Sequence, residues 1–171
     1  MSDLVKYSTL FFVFFINPVS INAQVSDVPL PVRPMNAIFW SVGGGATYMS
    51  FEYERLFGRD KLFFLSAGAG FGSALSDDEA KYNTLPFHFS GNLGRGSSFL
   101  ECGIGMTLLF DHPESDGISY LILGYRLVLP LKHRIAFAFR IKLDIPLNYR
   151  NVVGEGDPQF IPAALGLGIS F

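Results

Sequence analysis

The sequence predicts an all-β fold, an eight-stranded antiparallel transmembrane β-barrel. Composition points there first. Of the 171 residues 49% are hydrophobic and only 16% are charged, whereas an ordinary soluble domain carries about 25% charged residues. Yet beyond the N-terminus the chain has no run of roughly 20 apolar residues such as a membrane helix needs. The apolar residues recur instead at every second position, the period of a strand, and not at the third and fourth positions of a helix.

The length allows one domain. At its start, Lys6 precedes a short apolar core, Leu10 to Ile16, and Asn22-Ala23 ends in a small residue. That pattern predicts an export signal over residues 1–23, cleaved before Gln24. The core is too short for a retained anchor and is interrupted by Asn17-Pro18. No cysteine follows it, so it is not a lipoprotein signal, and the single Cys102 permits no internal disulfide. The formal net charge of −2 provides no basic footprint for nucleic acid. Residues 24–35 hold three prolines and no periodicity, which reads as an extended lead into a barrel over residues 36–171.

Eight alternating segments follow, at about 37–43, 46–57, 62–73, 83–93, 98–110, 118–129, 134–147 and 160–171. The seventh is the clearest. Ile135, Phe137, Phe139, Ile141, Leu143 and Ile145 alternate with Ala136, Ala138, Arg140, Lys142 and Asp144, so one face is wholly apolar and the other carries three charges. The fifth sets Leu100, Cys102, Ile104 and Met106 against Glu101, Gly103, Gly105 and Thr107, and the third and eighth oppose apolar residues to Gly and Ser in the same way. The connections alternate between tight turns (58–61, 94–97, 130–133) and longer loops (74–82, 111–117, 149–159), as on the two rims of an outer-membrane barrel. The first connection, Gly43-Gly44-Gly45, is the exception. It is either a very tight turn or the middle of one long strand.

Such a barrel can face either way. A soluble, lipocalin-like barrel turns its apolar face inward around a ligand. A membrane barrel turns it outward. The polar face here is crowded with Gly, Ala and Ser, which suit the narrow lumen of eight strands better than a solvated surface. The apolar segments also approach the roughly 9–11 residues that cross a bilayer when tilted.

The terminal Ala164-Leu165-Gly166-Leu167-Gly168-Ile169-Ser170-Phe171 resembles the C-terminal insertion signal of outer-membrane barrels. With the eight-strand count, the chain resembles the small OmpA/OmpX-like barrels. Ser50 to Arg55, Phe99 to Gly103 and Leu123 to Arg126 are similar to segments of uncharacterised barrels of Gram-negative bacteria. The resemblance implies an outer-membrane location, lipid as the surrounding partner and a barrel-insertion machinery that reads the C-terminal strand. It implies no activity.

Strand parity assigns Glu52, Glu54, His88, Ser90, Asn92, Glu101, Arg126, Arg140, Lys142 and Asp144 to the lumen. Four acids against three bases, with one histidine, suggest ion pairs that plug the interior, with Arg126 and Glu101 paired across one ladder. An ion path is the functional alternative.

His88-Phe89-Ser90 is the one enzymatic motif. A His-x-Ser pair on one strand face resembles that of outer-membrane lipid A deacylases, with Glu101 placed to orient the histidine. The motif departs from that pattern, because Gly91 stands where the family has Asn, and parity turns both side chains away from lipid. No metal centre is expected, since His112 and His133 have no second ligand at suitable spacing, and no cofactor is expected. The glycine clusters open no helix, so they are not phosphate loops. Trp40, Tyr48, Tyr53, Tyr120 and Tyr125 are expected in aromatic girdles at the two membrane interfaces. The chain is expected to be a monomer.

Overall fold

The computed structural model describes residues 34–45, 47–58, 62–75, 81–110, 117–130, 135–147 and 160–171. The expected export signal, His112, His133 and most loop residues lie outside them. The described chain forms eight strands and no helix: β1 (Asn36–Gly43), β2 (Met49–Phe57), β3 (Phe63–Leu75), β4 (Lys81–Leu93), β5 (Ser98–Phe110), β6 (Gly117–Pro130), β7 (Ala136–Pro146) and β8 (Ala163–Ser170). Each strand pairs antiparallel with its neighbours in sequence, and β1 pairs with β8, so the sheet closes on itself. The closing seam continues to the final residue, where Asn36 N–H donates to the Phe171 carbonyl (3.0 Å) and Phe171 N–H donates to the Asn36 carbonyl (2.9 Å).

Strand bounds differ from expectation by one to three residues at most ends. β2 and β8 each begin three residues later than the alternation suggests, because Thr47, Tyr48, Ile161 and Pro162 precede the ladder. β3 and β4 run further toward their shared connection, to Leu75 and from Lys81. The connection shrinks to residues 76–80, no longer than the turn at 58–62. The contrast between the rims therefore rests on 111–116 and above all on 147–162.

The triple glycine is a turn. β1 and β2 are separate strands paired from Asn36↔Arg55 to Val42↔Met49. Gly43, Gly44 and Gly45 all have positive φ (76°, 86° and 54°), a conformation that costs any other L-residue. Thr47 fixes the turn by donating both its N–H (2.9 Å) and its hydroxyl (2.6 Å) to the Gly44 carbonyl. The turn folds inward over the barrel mouth, where all three glycines are buried.

Alternation sets the faces. β7 alternates buried and exposed along its whole length, with Arg140, Lys142 and Asp144 inside and Phe137, Ile141 and Leu143 outside. The interior is layered. At the rim of the tight turns Leu56, Phe64 and Phe99 form an apolar cluster, with the two Phe rings edge-on at 5.2 Å. At the loop rim Ala74, Leu109, Ile118, Tyr120 and Ile122 form another, against which Tyr82 and Phe160 pack. The charged residues lie between these two seals.

Tyr120 corrects the expected girdle. It is buried and faces inward, sharing the parity of Ile118, Ile122 and Arg126. Its ring occupies the space left by Gly105 and Gly45, where an added Cβ would run into it. Trp40, Tyr53 and Tyr125 are exposed on the outer face, and Tyr48, just before β2, is exposed.

Replacing Gly43 by Ala puts a Cβ on a left-handed residue and against the Ala163 carbonyl. We expect it to lower unfolding free energy by about 1–2 kcal/mol or more, read as a reduced urea midpoint, with unchanged β-sheet circular dichroism in the surviving folded state.

Candidate functional site

The site is the charged belt of the lumen. β2 brings Glu52 and Glu54 to it, β4 His88, β5 Glu101, β6 Arg126, and β7 Arg140 and Lys142. All are buried. Arg126 and Arg140 stand directly opposite each other on the β6–β7 ladder, a juxtaposition that repels unless anions intervene.

Glu54 supplies most of the compensation. Arg126 Nη2 donates to its two oxygens at 2.7 and 2.8 Å, and Arg140 Nη1 donates to Oε2 at 3.1 Å. Glu52 takes the other side of Arg140 at 2.5 Å, accepts from the Ser50 hydroxyl at 2.8 Å and lies 3.7 Å from Lys142 Nζ. Both guanidiniums also lie over the Phe39 ring, 5.2 Å from its centroid for Arg126 and 4.2 Å for Arg140, a cation–π arrangement strengthened by desolvation.

The expected Arg126–Glu101 pair forms at 3.2 Å, but it is neither the shortest contact of Arg126 nor a ladder pair. Glu101 stands opposite Gly124, and Arg126 opposite Phe99. The two side chains meet diagonally. The dominant partner of Arg126 comes from β2, across the lumen. Register within one seam predicts the diagonal contact, while the transverse one depends on closure, which is not visible in any local segment. Phe39 and Ser41, which accepts from Arg140 at 3.4 Å, were not anticipated. Parity alone places both on the inner face of β1.

Small residues make this belt possible. His88 lies against Gly68, Glu52 against Gly70, Ser90 against Gly103 and Phe39 against Gly168. At each position an added Cβ would overlap the facing group. The lumen of eight strands has just enough room for side chains, and glycine on one wall admits a long side chain from another.

His88 and Ser90 share the inner face, as parity predicts, and no hydrogen bond joins them among the described residues. His88 Nδ1 lies 3.7 Å from Glu52 and Nε2 3.5 Å from Glu54. The Ser90 hydroxyl is fully buried and has no hydrogen-bond partner among the described residues. Glu101 pairs with Arg126 at 3.2 Å, and one of its carboxylate oxygens lies within 4.8 Å of a His88 ring nitrogen. Asn92 donates to the Ser66 hydroxyl at 3.0 Å. Asp144 sits nearer the mouth, beneath the Gly44 turn, and neither of its buried carboxylate oxygens has a hydrogen-bond partner among the described residues.

Glu54, His88 and Glu101 bring three ligand-type atoms within 4.8 Å of one another. Arg126 already bonds both oxygens of Glu54 and one of Glu101, so a divalent ion there would lie against a guanidinium. The group reads as part of the ion-pair network.

No protein-family model, curated protein or solved structure matches this chain.

Replacing Arg126 by Leu leaves Glu54 and Glu101 short of their shared partner and should cost about 3–5 kcal/mol in unfolding free energy. The double variant Arg126→Leu/Glu54→Leu should cost less than the sum of the single variants, with coupling of about 1–3 kcal/mol. Additive urea-unfolding energies would show that the network is not cooperative.

Proposed function

We propose that this chain is a transmembrane barrel of a bacterial outer membrane, with a plugged lumen and a structural or surface-recognition role in the envelope. One observation carries the reading: the outer face is predominantly apolar on every strand, while the charged belt lies inside. Phe51 and Phe71 are 64% and 58% exposed, and Leu100, Ile104, Phe137 and Leu165 each exceed half. Water around such a belt would leave a very large apolar surface exposed. Hydrocarbon around it removes that cost, and closure leaves no strand edge unpaired in lipid.

The margins of the belt support the same reading. Polar outward residues cluster near strand ends. Tyr53 donates from its hydroxyl to Asn36 (2.7 Å), and Tyr125 donates to Ser98 (3.0 Å), both at the rim of the tight turns. Arg55 faces outward opposite Asn36, where a long cationic side chain reaches headgroups. Phe171, outward on the last rung, fits a terminal strand read by insertion machinery, and the surrounding partner is lipid.

A periplasmic lipocalin-like barrel would invert the two faces and line its cavity with the apolar residues that lie outside here. A lipid-modifying hydrolase at His88 and Ser90 would need the serine within reach of the histidine, and Ser90 has no such contact. The recognition half of the proposal rests on analogy between folds.

Fractionation tests the membrane reading. The mature chain is expected in the membrane pellet and released by detergent; recovery from the soluble periplasm without detergent would overturn it. The plug has its own measurement. Reconstituted in planar bilayers, the purified protein should show no discrete conductance steps, and regular steps would mean an open path through the charged belt.

A further inference from the structure

The seam between β3 and β4 is broken. Its ladder runs from Phe63↔Leu93 to Ala69↔Phe87 and resumes at Gly72↔Thr84. The same register puts Pro86 opposite Gly70 and Leu85 opposite Phe71, and neither pair forms. Pro86 has no N–H, so it cannot make the bond that any other residue would give its neighbour. On its other side Pro86 keeps register with Thr107 of β5, so the loss falls on the β3 side. Among the described residues, the other seams run without a break.

Proline inside a central strand is rare because it removes a rung. It is costlier where the surroundings offer no water to replace the bond. β3 adds little to hold the seam from within, since its inward residues Gly68, Gly70 and Gly72 carry no side chains. Directly behind them stand the His88 ring, against Gly68, and the Glu52 side chain, against Gly70. The weakest stretch of wall thus separates the outer face from one edge of the charged belt.

We propose that the wall parts at this seam, Gly70-Phe71 against Leu85-Pro86, as a lateral hatch between the outer apolar surface and the charged belt at His88 and Glu52. That the hatch opens onto lipid rests on the membrane reading; the parting itself does not.

Hydrogen–deuterium exchange on the refolded full chain tests it. Segments 68–72 and 84–88 should exchange about tenfold or more faster than segments 121–127 and 138–144 of the unbroken β6–β7 seam. Pro86→Ala restores the N–H and should slow exchange in 68–72 by a similar factor, leaving β6–β7 unchanged. Equal protection of the two seams, or a Pro86→Ala variant with unaltered exchange, would overturn the proposal. If that variant fails to fold, Thr84→Cys in a Cys102→Ser background provides a second reading. Its inward thiol should react with a bilayer-confined maleimide more slowly than the exposed Cys102 of the unmodified protein but measurably; no reaction means a closed wall. Recovery of the chain as a soluble protein would remove the lipid side of the hatch and leave the exchange contrast in place.

Discussion

The carboxylate of Glu54, shared by Arg126 and Arg140, is the interaction on which the rest of the barrel depends. Two arginines directly opposite on one ladder, buried between apolar seals, are tolerable only if an anion reaches both. That anion comes from β2, on the far side of an eight-strand ring from β6. Every β hydrogen bond in the molecule joins neighbouring strands, so the Glu54 contacts brace the barrel along a direction the ladders do not. Closure and neutralisation are one event. Until β1 meets β8, Glu54 and the arginines have no fixed separation, and until they pair, closing the ring would bury uncompensated charge.

The glycines follow from the same requirement. A lumen this narrow cannot hold side chains from every inward position at the level of the belt. Gly68, Gly70, Gly103 and Gly168 leave wall without side chain, and His88, Glu52, Ser90 and Phe39 fill it. Interior packing is therefore asymmetric: long side chains come from β1, β2, β4, β6 and β7 and from Glu101 of β5, and much of the bare wall from β3, β8 and the Gly103–Gly105 stretch of β5. The broken rung at Pro86 lies in the barest of these walls. There the closure demanded by the charges and the continuity demanded by the backbone pull against each other.

Much of this was legible in the sequence because the strand period is two and every strand has one charged or small face. Parity correctly placed Glu52, Glu54, His88, Glu101, Arg126, Arg140, Lys142 and Asp144 on one face of the barrel wall, and the eight strands emerge with bounds shifted by only a few residues. What the sequence leaves unread has separate causes. Residue type alone puts Tyr120 in a girdle, whereas its strand parity, shared with Arg126, turns it inward. The pair of Arg126 with Glu101, on adjacent strands, is legible and forms at 3.2 Å, but the shorter contact of Arg126 with Glu54 is not. The transverse pair with Glu54 joins residues 72 positions apart in sequence, and only the closed ring brings them together. The connection expected at 74–82 is shorter, since β3 runs to Leu75 and β4 begins at Lys81.

Replacing a buried ion network by apolar residues of similar volume often leaves a protein equally or more stable, so stability alone does not account for seven charges in this lumen. Orientation does. The outer face is already apolar, and an apolar lumen would make the two faces of every strand nearly equivalent. A one-residue slip exchanges the faces of a strand, and with two apolar faces nothing would oppose it. With Arg140, Lys142 and Asp144 on one face of β7 and Phe137, Phe139 and Ile141 on the other, a slip would drive three charges out through the apolar wall. The same logic applies to Glu52 and Glu54 on β2 and to Glu101 on β5. The charges fix which way each strand faces, and the arginine pair on β6 and β7 fixes which acids must meet them. In this barrel the polar network is chiefly a device for register, which is why it is distributed over strands that the ladders alone would leave free to slide.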